Sequence, residues 1–329
     1  KDKMGNFVHL HVHTEYSILD GATKIAVAAK KAKALGMPAL AITDHGNMYG
    51  AVNFFDACEK EGIKAIIGTE FYVCDDLTVK SGKAKLNHLV LLCKNEEGYK
   101  NISLLNAIAF RDGFYYKPRI DLKTLEAHHE GLICLSACLA GDIPQAILNR
   151  NFDEAERLVL WFKNLFGEDF YLEMQNHMLE EQLEVNKYLR TYAKKYGIKL
   201  VATNDVHYLE RSDAESQDVL MCVQMGADYD DPKRLRFPND EFYLKSYDEM
   251  AALFPNDPEA LETTLEIADK CNFGFVYGHY MFPHYYPETG EDPKTYIRGL
   301  IDAGIKKKYG AETQEIRDRI ESELAVIEK

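Results

Sequence analysis

The stretch FVHLHVHT, residues 7–14, decides the fold and points to the chemistry. Apolar residues and histidines alternate along it, which predicts a β-strand because side chains two positions apart share one face of a strand. The apolar side chains, beginning with Val8, would face one way, and the three histidines, His9, His11 and His13, would face the other. Three adjacent imidazoles make a poor core but a good site for a borderline metal ion. A solvated edge strand that carries histidines is the alternative that this stretch leaves open.

Beyond this stretch, short apolar runs alternate with helical patterns as far as residue 203. The apolar runs lie at 38–43, 63–68, 88–93, 131–136, 170–174 and 198–203. Helical periodicity predicts helices at 23–35, 51–61, 97–110, 152–166 and 180–196. This alternation predicts an α/β fold with a parallel sheet, and this number of units favours a barrel. At 88–93 the polar His88 precedes the apolar residues, so this strand either runs antiparallel or begins earlier.

Residues that can bind metal ions fall mainly at the ends of the apolar runs. The carboxyl ends of the strands of an α/β barrel meet on one face, where active sites lie. The nine candidates exceed the three or four ligands of one zinc ion, so two or three ions fit better. Mixed nitrogen, oxygen and sulfur donors favour zinc, with manganese or iron as alternatives. The candidates are His11, His13, Asp20, His45, Glu70, His88, Cys138, Asp205 and His207.

The carboxylates of Glu70 and Asp205 are suited to bridge two ions. Metal ions about 3.5–4 Å apart are used to hydrolyse phosphate esters, because they activate water and stabilise the leaving oxygen. Each residue alone has a simpler interpretation: Cys138 would suit a buried apolar position, and Asp20 would suit a turn. The joint placement of the set favours the metal site.

The motifs that carry these residues resemble those of the PHP (polymerase and histidinol phosphatase) family. They are HVH at 11–13, TDH at 43–45, Glu70, His88, Cys138 and DVH at 205–207. Longer stretches are similar to the branch found at the N-terminus of bacterial replicative DNA polymerase III alpha subunits. These are 7–17, GMPALAITDH at 36–45, YYKPRID at 115–121, LSACLAG at 135–141 and ATNDVHY at 202–208. The resemblance implies a distorted seven-stranded, TIM-like (β/α) barrel with a trinuclear metal site at the strand ends.

The resemblance also implies a function. All nine ligand positions are kept, which implies a metal-dependent 3′–5′ exonuclease that proofreads the 3′ end of a DNA primer. We assign catalysis to Asp205, Glu70 and His13, and we expect other replicative polymerase subunits as partners. Two alternatives remain: a metal-stabilised scaffold that docks a partner such as an exonuclease subunit, and a phosphomonoesterase of the histidinol-phosphatase type.

Three further residues are candidates for substrate contact. Lys117 and Arg119 would meet a phosphate backbone, the arginine through its bidentate fork. A solvated loop pair is the alternative for these two. His177 follows the sixth predicted strand and is placed to contact substrate. His9, in contrast, is expected in a lower layer of the barrel, away from the metal ions.

From about residue 230 the alternation stops. We predict a PHP domain at 1–270 and a mainly helical segment at 271–329, which starts with an aromatic linker and resembles the beginning of the polymerase palm. Helices are predicted at 258–271, 293–309 and 315–329. The last helix has no terminal cap, so we expect a fragment cut within the palm. The closely spaced aspartates that hold the polymerase magnesium ions in the family have no match here, which predicts that the chain cannot synthesise DNA.

Composition restricts the compartment more than the function. The net charge of −14 argues against a grip on nucleic acid over the whole surface, but not against a local site. No apolar run approaches the roughly 18 residues of a membrane span, and residues 1–6 lack the apolar centre of a secretory signal. The 7 cysteines form no CxxC pair, which argues against a disulfide framework. We therefore expect a reduced, cytoplasmic protein with no membrane association.

Overall fold

A mixed seven-stranded sheet lies at the centre of the fold in the described part of the chain, residues 6–328 of the computed structural model. The strands are β1 (Ala39–Ile42), β2 (Lys64–Cys74), β3 (Asn87–Cys93), β4 (Arg119–Asp121), β5 (Leu132–Leu135), β6 (Phe170–Met174) and β7 (Lys199–Ala202). They pair in the order β1-β2-β3-β5-β6-β7, and β4 pairs with β2. β3 is antiparallel to both of its neighbours, and the other pairs are parallel. Of the two alternatives for the strand at 88–93, reversed direction is therefore confirmed.

Ten helices within the described residues surround the sheet. They are α1 (Ile25–Ala34), α2 (Ala51–Glu61), α3 (Glu96–Arg111), α4 (Leu122–Ala127), α5 (Asp142–Leu148), α6 (Phe152–Phe166), α7 (Glu180–Tyr196), α8 (Ala214–Met225), α9 (Tyr247–Leu253) and α10 (Pro258–Lys270). α2, α6 and α7 begin and end where the sequence predicts. In α6, the side chain of Asn151 accepts a hydrogen bond from the backbone N–H of Glu154, which caps the first turn. Gly62 ends α2 and Gly197 ends α7 in the left-handed conformation that glycine adopts readily.

Two buried apolar clusters occupy the two faces of the sheet. The outer cluster joins the sheet to the surrounding helices. The inner cluster fills the concave side and includes Val8, Ile66, Val90, Tyr171 and Val201. One hydrophobic face inside and one outside is the arrangement expected of strands buried on both sides. The inner cluster is therefore a packed core and not a channel.

Helix α10 closes the end of the barrel at which the parallel strands begin. Ile267 of α10 belongs to the inner cluster, the hydroxyl of Thr264 accepts a hydrogen bond from Val8 N (3.0 Å), and Lys64 Nζ donates to the carbonyl of Ala268 (2.8 Å). The carboxyl ends of the parallel strands consequently open at the opposite face.

Residues 7–14, predicted as the first strand, form an extended segment without a continuous ladder. The segment lies between β1 and the chain that follows β7. Ala41 N donates to His9 O (3.0 Å), and Val206 N donates to His11 O (3.0 Å). The segment thereby closes the sheet into a distorted barrel. The short strand β4, which the sequence did not predict, brings the number of regular strands back to seven.

A bend at His11 breaks the alternation of side chains within this segment. Val8 belongs to the inner cluster, but Val12 belongs to the outer one. The ring of His9 packs edge-on against Phe7 of the outer cluster (4.5 Å between ring centroids) and lies 2.8 Å from the carbonyl of Lys245. The prediction that the three histidines share one face is therefore wrong for His9, which also does not form a lower inner layer.

The chain divides into two compact units, Lys1–Phe275 and Val276–Lys329. The second unit contains the two helices α11 (Pro293–Tyr309) and α12 (Gln314–Ile327). α11 has the predicted bounds, whereas Lys329, the predicted end of the last helix, lies outside the described residues. Among residues 6–328, no helix combines the length and the apolar character needed to cross a membrane.

Candidate metal centre

The structure brings all nine predicted metal-binding side chains together at the open end of the barrel. His11 and His13 come from the closing segment, and Asp20 comes from the loop that follows it. The remaining six lie at strand ends or within strands of the sheet: His45 after β1, Glu70 in β2, His88 in β3, Cys138 after β5, and Asp205 and His207 after β7. β2 is longer than predicted, so Glu70 lies inside it and not past its end.

Glu70 lies at the centre of the group. Its Oε1 is 3.1 Å from His11 Nε2 and 3.0 Å from His88 Nδ1, and its Oε2 is 2.6 Å from His45 Nδ1. The Glu70 side chain is 1% exposed, so these contacts replace water around the carboxylate. A buried carboxylate with both oxygens directed at imidazoles has the geometry required to bridge two cations.

Asp205 forms a second junction. Its Oδ1 lies 3.3 Å from His11 Nε2 and 3.1 Å from His13 Nε2, and the rings of His13 and His207 stack at 4.3 Å. Asp205 adopts a positive φ of 47°, which a non-glycine residue adopts at a cost of about 1–3 kcal/mol. Such strain is typical of functional sites, and here it directs the carboxylate between two imidazoles.

Asp20 and Cys138 complete opposite sides of the group. Asp20 Oδ2 lies 3.2 Å from His45 Nε2. Cys138 Sγ lies 3.4 Å from His88 Nδ1 and 3.9 Å from Glu70 Oε1. The set therefore offers nitrogen, oxygen and sulfur donors, the mixture that suits zinc and related divalent metals.

The donor atoms fit divalent cations. Among the described residues, several buried atoms at this site have no hydrogen-bond partner: His11 Nε2, His13 Nε2, His45 Nδ1, Glu70 Oε2, Asp20 Oδ1 and Asp205 Oδ1. Two ligands about 2.1 Å from one tetrahedral ion lie about 3.4 Å apart, close to the separations seen here. Three overlapping groups each place three donor atoms within 4.8 Å of one another: His13, His45 and His207; His11, His13 and Glu70; His45, Glu70 and His88.

Electrostatics around His11 and Glu70 favour positive charge, whereas burial lowers the pKa of His13 to about 3. Burial opposes protonation of His11, but Asp205 and the neighbouring carboxylates outweigh it and raise the pKa of His11 well above its usual range. Burial likewise disfavours ionised Glu70, but the surrounding imidazoles, His88 first, hold its pKa well below the usual range. An environment that stabilises a proton on imidazole between carboxylates also stabilises a divalent cation in the same place.

Contacts of Nδ1 orient three of the imidazoles, two of them through residues outside the predicted set. His11 Nδ1 lies 2.6 Å from Glu173 Oε1, His13 Nδ1 lies 2.9 Å from Ser17 Oγ, and His207 Nδ1 lies 2.8 Å from the carbonyl of Asp205. With Nδ1–H donating in each case, Nε2 of every ring faces the centre, where a cation would take the place of any proton on it. Such outer partners commonly fix the ring orientation of metal-binding histidines.

Sequence reasoning missed Glu173 and Ser17. Ser17 accepts from His13 because its own hydroxyl donates to Asp44 (2.7 Å), a buried residue that also accepts from the N–H and hydroxyl of Thr14. The available signal for Glu173 was an acidic residue inside the otherwise apolar strand FYLEM, residues 170–174. Burial of one carboxylate within such a strand requires a partner.

The three predicted substrate contacts have different environments. Lys117 lines a cleft beside the metal centre together with His45 and Tyr72. Arg119 is instead buried, and its guanidinium donates to the carbonyls of Gly113, Leu77 and Val79. These bonds give Arg119 a structural role in holding the loop, so the expected contact with a phosphate backbone does not agree with the structure.

His177 is also occupied by structural contacts. It is fully buried and stacks on Phe242 at 3.8 Å. Its Nε2 lies 2.9 Å from the carbonyl of Asn204, and its Nδ1 lies 2.8 Å from the amide nitrogen of Gln182. Burial lowers the pKa of His177 to about 4, which keeps the ring neutral. The prediction of substrate contact by His177 is therefore wrong, because both ring nitrogens are already bonded within the protein.

The closed α/β barrel and the cluster of metal-binding side chains at its open end define the class of protein to which the chain belongs. The family model for the PHP domain matches residues 9–177. The chain therefore belongs to the PHP domain family.

Two relatives match the chain over nearly its whole length. The DNA polymerase III subunit alpha of Borreliella burgdorferi is 45% identical over 98% of this chain and 28% of its own length. The protein of the same name from Thermus aquaticus is 42% identical over 92% of this chain and 26% of its own length. The chain thus spans about a quarter of the length of these relatives. A solved structure of a candidate metal-dependent phosphoesterase from Bifidobacterium adolescentis aligns with 76% of this chain and 96% of its own, at 16% identity and a TM-score of 0.41.

Proposed function

We propose that this chain is the PHP part of a replicative DNA polymerase alpha subunit and that its metal centre hydrolyses phosphodiester bonds at the 3′ end of DNA. The observation that carries this proposal is the convergence of nine donor side chains, six of which have a buried donor atom without a hydrogen-bond partner among residues 6–328. Relatives named as DNA polymerase III alpha subunits match nearly the whole chain, which supports the link to replication. We propose two or three zinc ions, with manganese or iron as alternatives, and other polymerase subunits as partners.

Divalent ions at such a site lower the pKa of water and neutralise charge on phosphoryl oxygens, which is the chemistry that phosphodiester hydrolysis requires. The side chains of this chain supply the organisation. Glu70 and Asp205 hold the imidazoles at the separations described above. Glu173 and Ser17 keep the protons of His11 and His13 on Nδ1, which leaves both Nε2 atoms as donors.

Catalysis is assigned to Asp205, Glu70 and His13. Asp205 Oδ1 and His13 Nε2 lie 3.1 Å apart at the inner wall of the site, and Glu70 Oε2 lies 3.6 Å from His13 Nε2. Each of the three therefore borders the space in which a scissile phosphate would meet the metal ions. Lys117 lines the adjoining cleft, where its ammonium group would be available to a phosphate of the bound strand.

The decisive experiment is digestion of a labelled oligonucleotide with a mismatched 3′ end, with Zn²⁺ or Mn²⁺ present. We expect stepwise shortening from the 3′ end by the wild-type chain and none by a folded Asp205→Asn variant. Asp153→Asn, a change to an exposed aspartate of α6, serves as the matched control and should retain full activity. Added nucleotides should not extend the primer.

The two alternatives predict other results in the same experiment. A phosphomonoesterase would release phosphate from monoesters and leave the internal linkages of the oligonucleotide intact. A scaffold with its metal ions bound would release nothing, and Asp205→Asn would lower its thermal stability without changing any turnover. Either outcome would contradict the proposed nuclease.

A further inference from the structure

A row of exposed aromatic side chains starts at the rim of the metal centre. Phe110, in α3, lines the same cleft as His45 and Lys117. Its ring centroid lies 6.4 Å from that of Tyr49 and 6.4 Å from that of Phe114. We call Tyr49, Phe110 and Phe114 the aromatic strip. Their exposures are 58%, 42% and 48%, and contiguous exposed apolar surface of this kind commonly marks a binding site.

The strip is continuous with the metal centre. Tyr72 lines the same cleft as Phe110 and His45, and its ring lies 5.9 Å from the His45 imidazole in a stacked arrangement. Lys117 Nζ lies 5.7 Å from the same Tyr72 ring. A ligand held at the metal ions would therefore pass a positive charge and then the aromatic strip as it leaves the cleft.

The spacing of the rings selects the form of the ligand. Successive bases of one strand in a DNA duplex are about 3.4 Å apart, so a duplex cannot place consecutive bases on rings 6.4 Å apart. An unpaired strand can separate its bases and stack each of them on a different aromatic ring. Stacking of this kind tolerates any sequence, because every base has a flat π-face.

Two exposed lysines lie on a loop that contacts the segment after Phe110, although the net charge is −14 and Asp112 of that segment is acidic. The hydroxyl of Tyr115 donates to the carbonyl of Gly82 (2.7 Å), which holds the loop at 80–83 against the segment that follows Phe110. Lys80 and Lys83 of this loop are exposed. Cations beside aromatic rings are the combination by which proteins track the backbone and bases of a single strand.

We propose that the aromatic strip binds the unpaired bases of single-stranded DNA and thereby makes a frayed 3′ end the preferred substrate of the metal centre. This inference rests on the proposed function for the hydrolytic step, but base stacking itself is measurable without hydrolysis. A mismatched terminus frays readily, so the strip would select it over a paired terminus without reading any base.

The test compares Phe110→Leu and Tyr49→Leu, which keep an apolar side chain but remove the ring, with the wild-type chain. Tyr188→Leu is the matched control, because Tyr188 stacks on Phe152 (4.8 Å between ring centroids), a pair formed by α6 and α7. Binding is measured by fluorescence anisotropy of a labelled single-stranded oligonucleotide, with Asp205→Asn as the background that prevents cleavage. Hydrolysis is measured as kcat/KM in the active chain, on the same oligonucleotide and on one whose terminal positions lack bases.

We expect each ring variant to bind the single strand about tenfold more weakly and the control to bind it normally. Hydrolysis of the normal oligonucleotide should fall by a similar factor, whereas hydrolysis of the base-free end should be slow in the wild-type chain and unchanged by the variants. Ring variants that bind and cleave the single strand within twofold of wild type would overturn the inference while leaving the nuclease intact. A chain that binds through the rings but cleaves nothing would refute the nuclease and the substrate preference, and would keep only the binding of single-stranded DNA by the strip.

Discussion

Replacement of Glu173 by glutamine tests the contribution of one negative charge behind the metal centre. Glu173 Oε1 alone accepts from His11 Nδ1 (2.6 Å), from Gln175 Nε2 (3.1 Å) and from the hydroxyl of Thr203. Its Oε2 is buried and has no hydrogen-bond partner among residues 6–328. A glutamine can therefore keep its oxygen toward all three donors and place its amide where Oε2 lies. The geometry is kept and the negative charge behind His11 is lost.

The expected result is a loss of metal affinity without unfolding. Changes to outer partners of metal-binding histidines typically weaken affinity 10- to 100-fold, which is about 1.4–2.8 kcal/mol. We expect this loss for one of the bound ions, measured by competition with a chromogenic zinc chelator. The metal-free variant should remain folded, with a free energy of unfolding lowered by about 1–3 kcal/mol, because the new amide lies at the buried position of Oε2, which has no hydrogen-bond partner among residues 6–328.

The control for this experiment is Glu266→Gln. Glu266 Oε1 accepts from the hydroxyl of Tyr171 (2.9 Å), a contact made from α10 at the closed end of the barrel. This change removes a partly buried carboxylate far from the donors and should leave zinc affinity unchanged. Wild-type zinc affinity in the folded Glu173→Gln variant would refute the orienting role of Glu173.

Three further predictions follow from the packing and from the cleft. Ile267→Ala should lower the free energy of unfolding by about 3 kcal/mol in urea denaturation, because it opens a cavity in the inner cluster at the closed end. A change below about 1 kcal/mol would show that α10 does not close the barrel. Arg119→Met should cost about 2 kcal/mol, because it leaves the buried carbonyl of Gly113 without its donor. Lys117→Met should instead leave stability unchanged, weaken DNA binding and lower the salt dependence of that binding by about one charge; equal effects of the two changes on binding would contradict the separate roles. Removal of metal ions with a chelator should lower the melting temperature, since ligands that bind only the folded state stabilise it, and an unchanged melting temperature would argue against occupied sites in the wild-type chain.

Much of the metal centre was predictable because strand periodicity and strand ends are local properties. Apolar runs located the ends of the parallel strands, and residues such as His45 and Asp205 follow directly from them. The direction of β3 could not be decided in the same way, since the apolar pattern is the same in both directions. The bend at His11 could not be predicted from the alternating pattern of residues 7–14, so the sequence assigned His9 to the wrong side of the chain.

The outer partners and substrate contacts required knowledge of distant neighbours. Glu173 lies 162 positions from His11, and nothing local connects them. Arg119 is a candidate because its side chain can bind phosphate, and His177 because it follows a predicted strand, but the sequence does not reveal that carbonyls and amides of the protein already occupy them. A polar side chain is available for a ligand only if the fold leaves it unpaired, and that is a property of tertiary structure.

The most direct test of the central claim is the metal content of the purified chain, combined with anomalous X-ray scattering to locate the ions. We predict two or three divalent ions per chain, bound among Glu70, Asp205 and the surrounding histidines, with at least one of them contacting both carboxylates. A fully active or fully stable chain that holds a single ion, no ion, or ions bound elsewhere would contradict a multinuclear centre at the open end of the barrel.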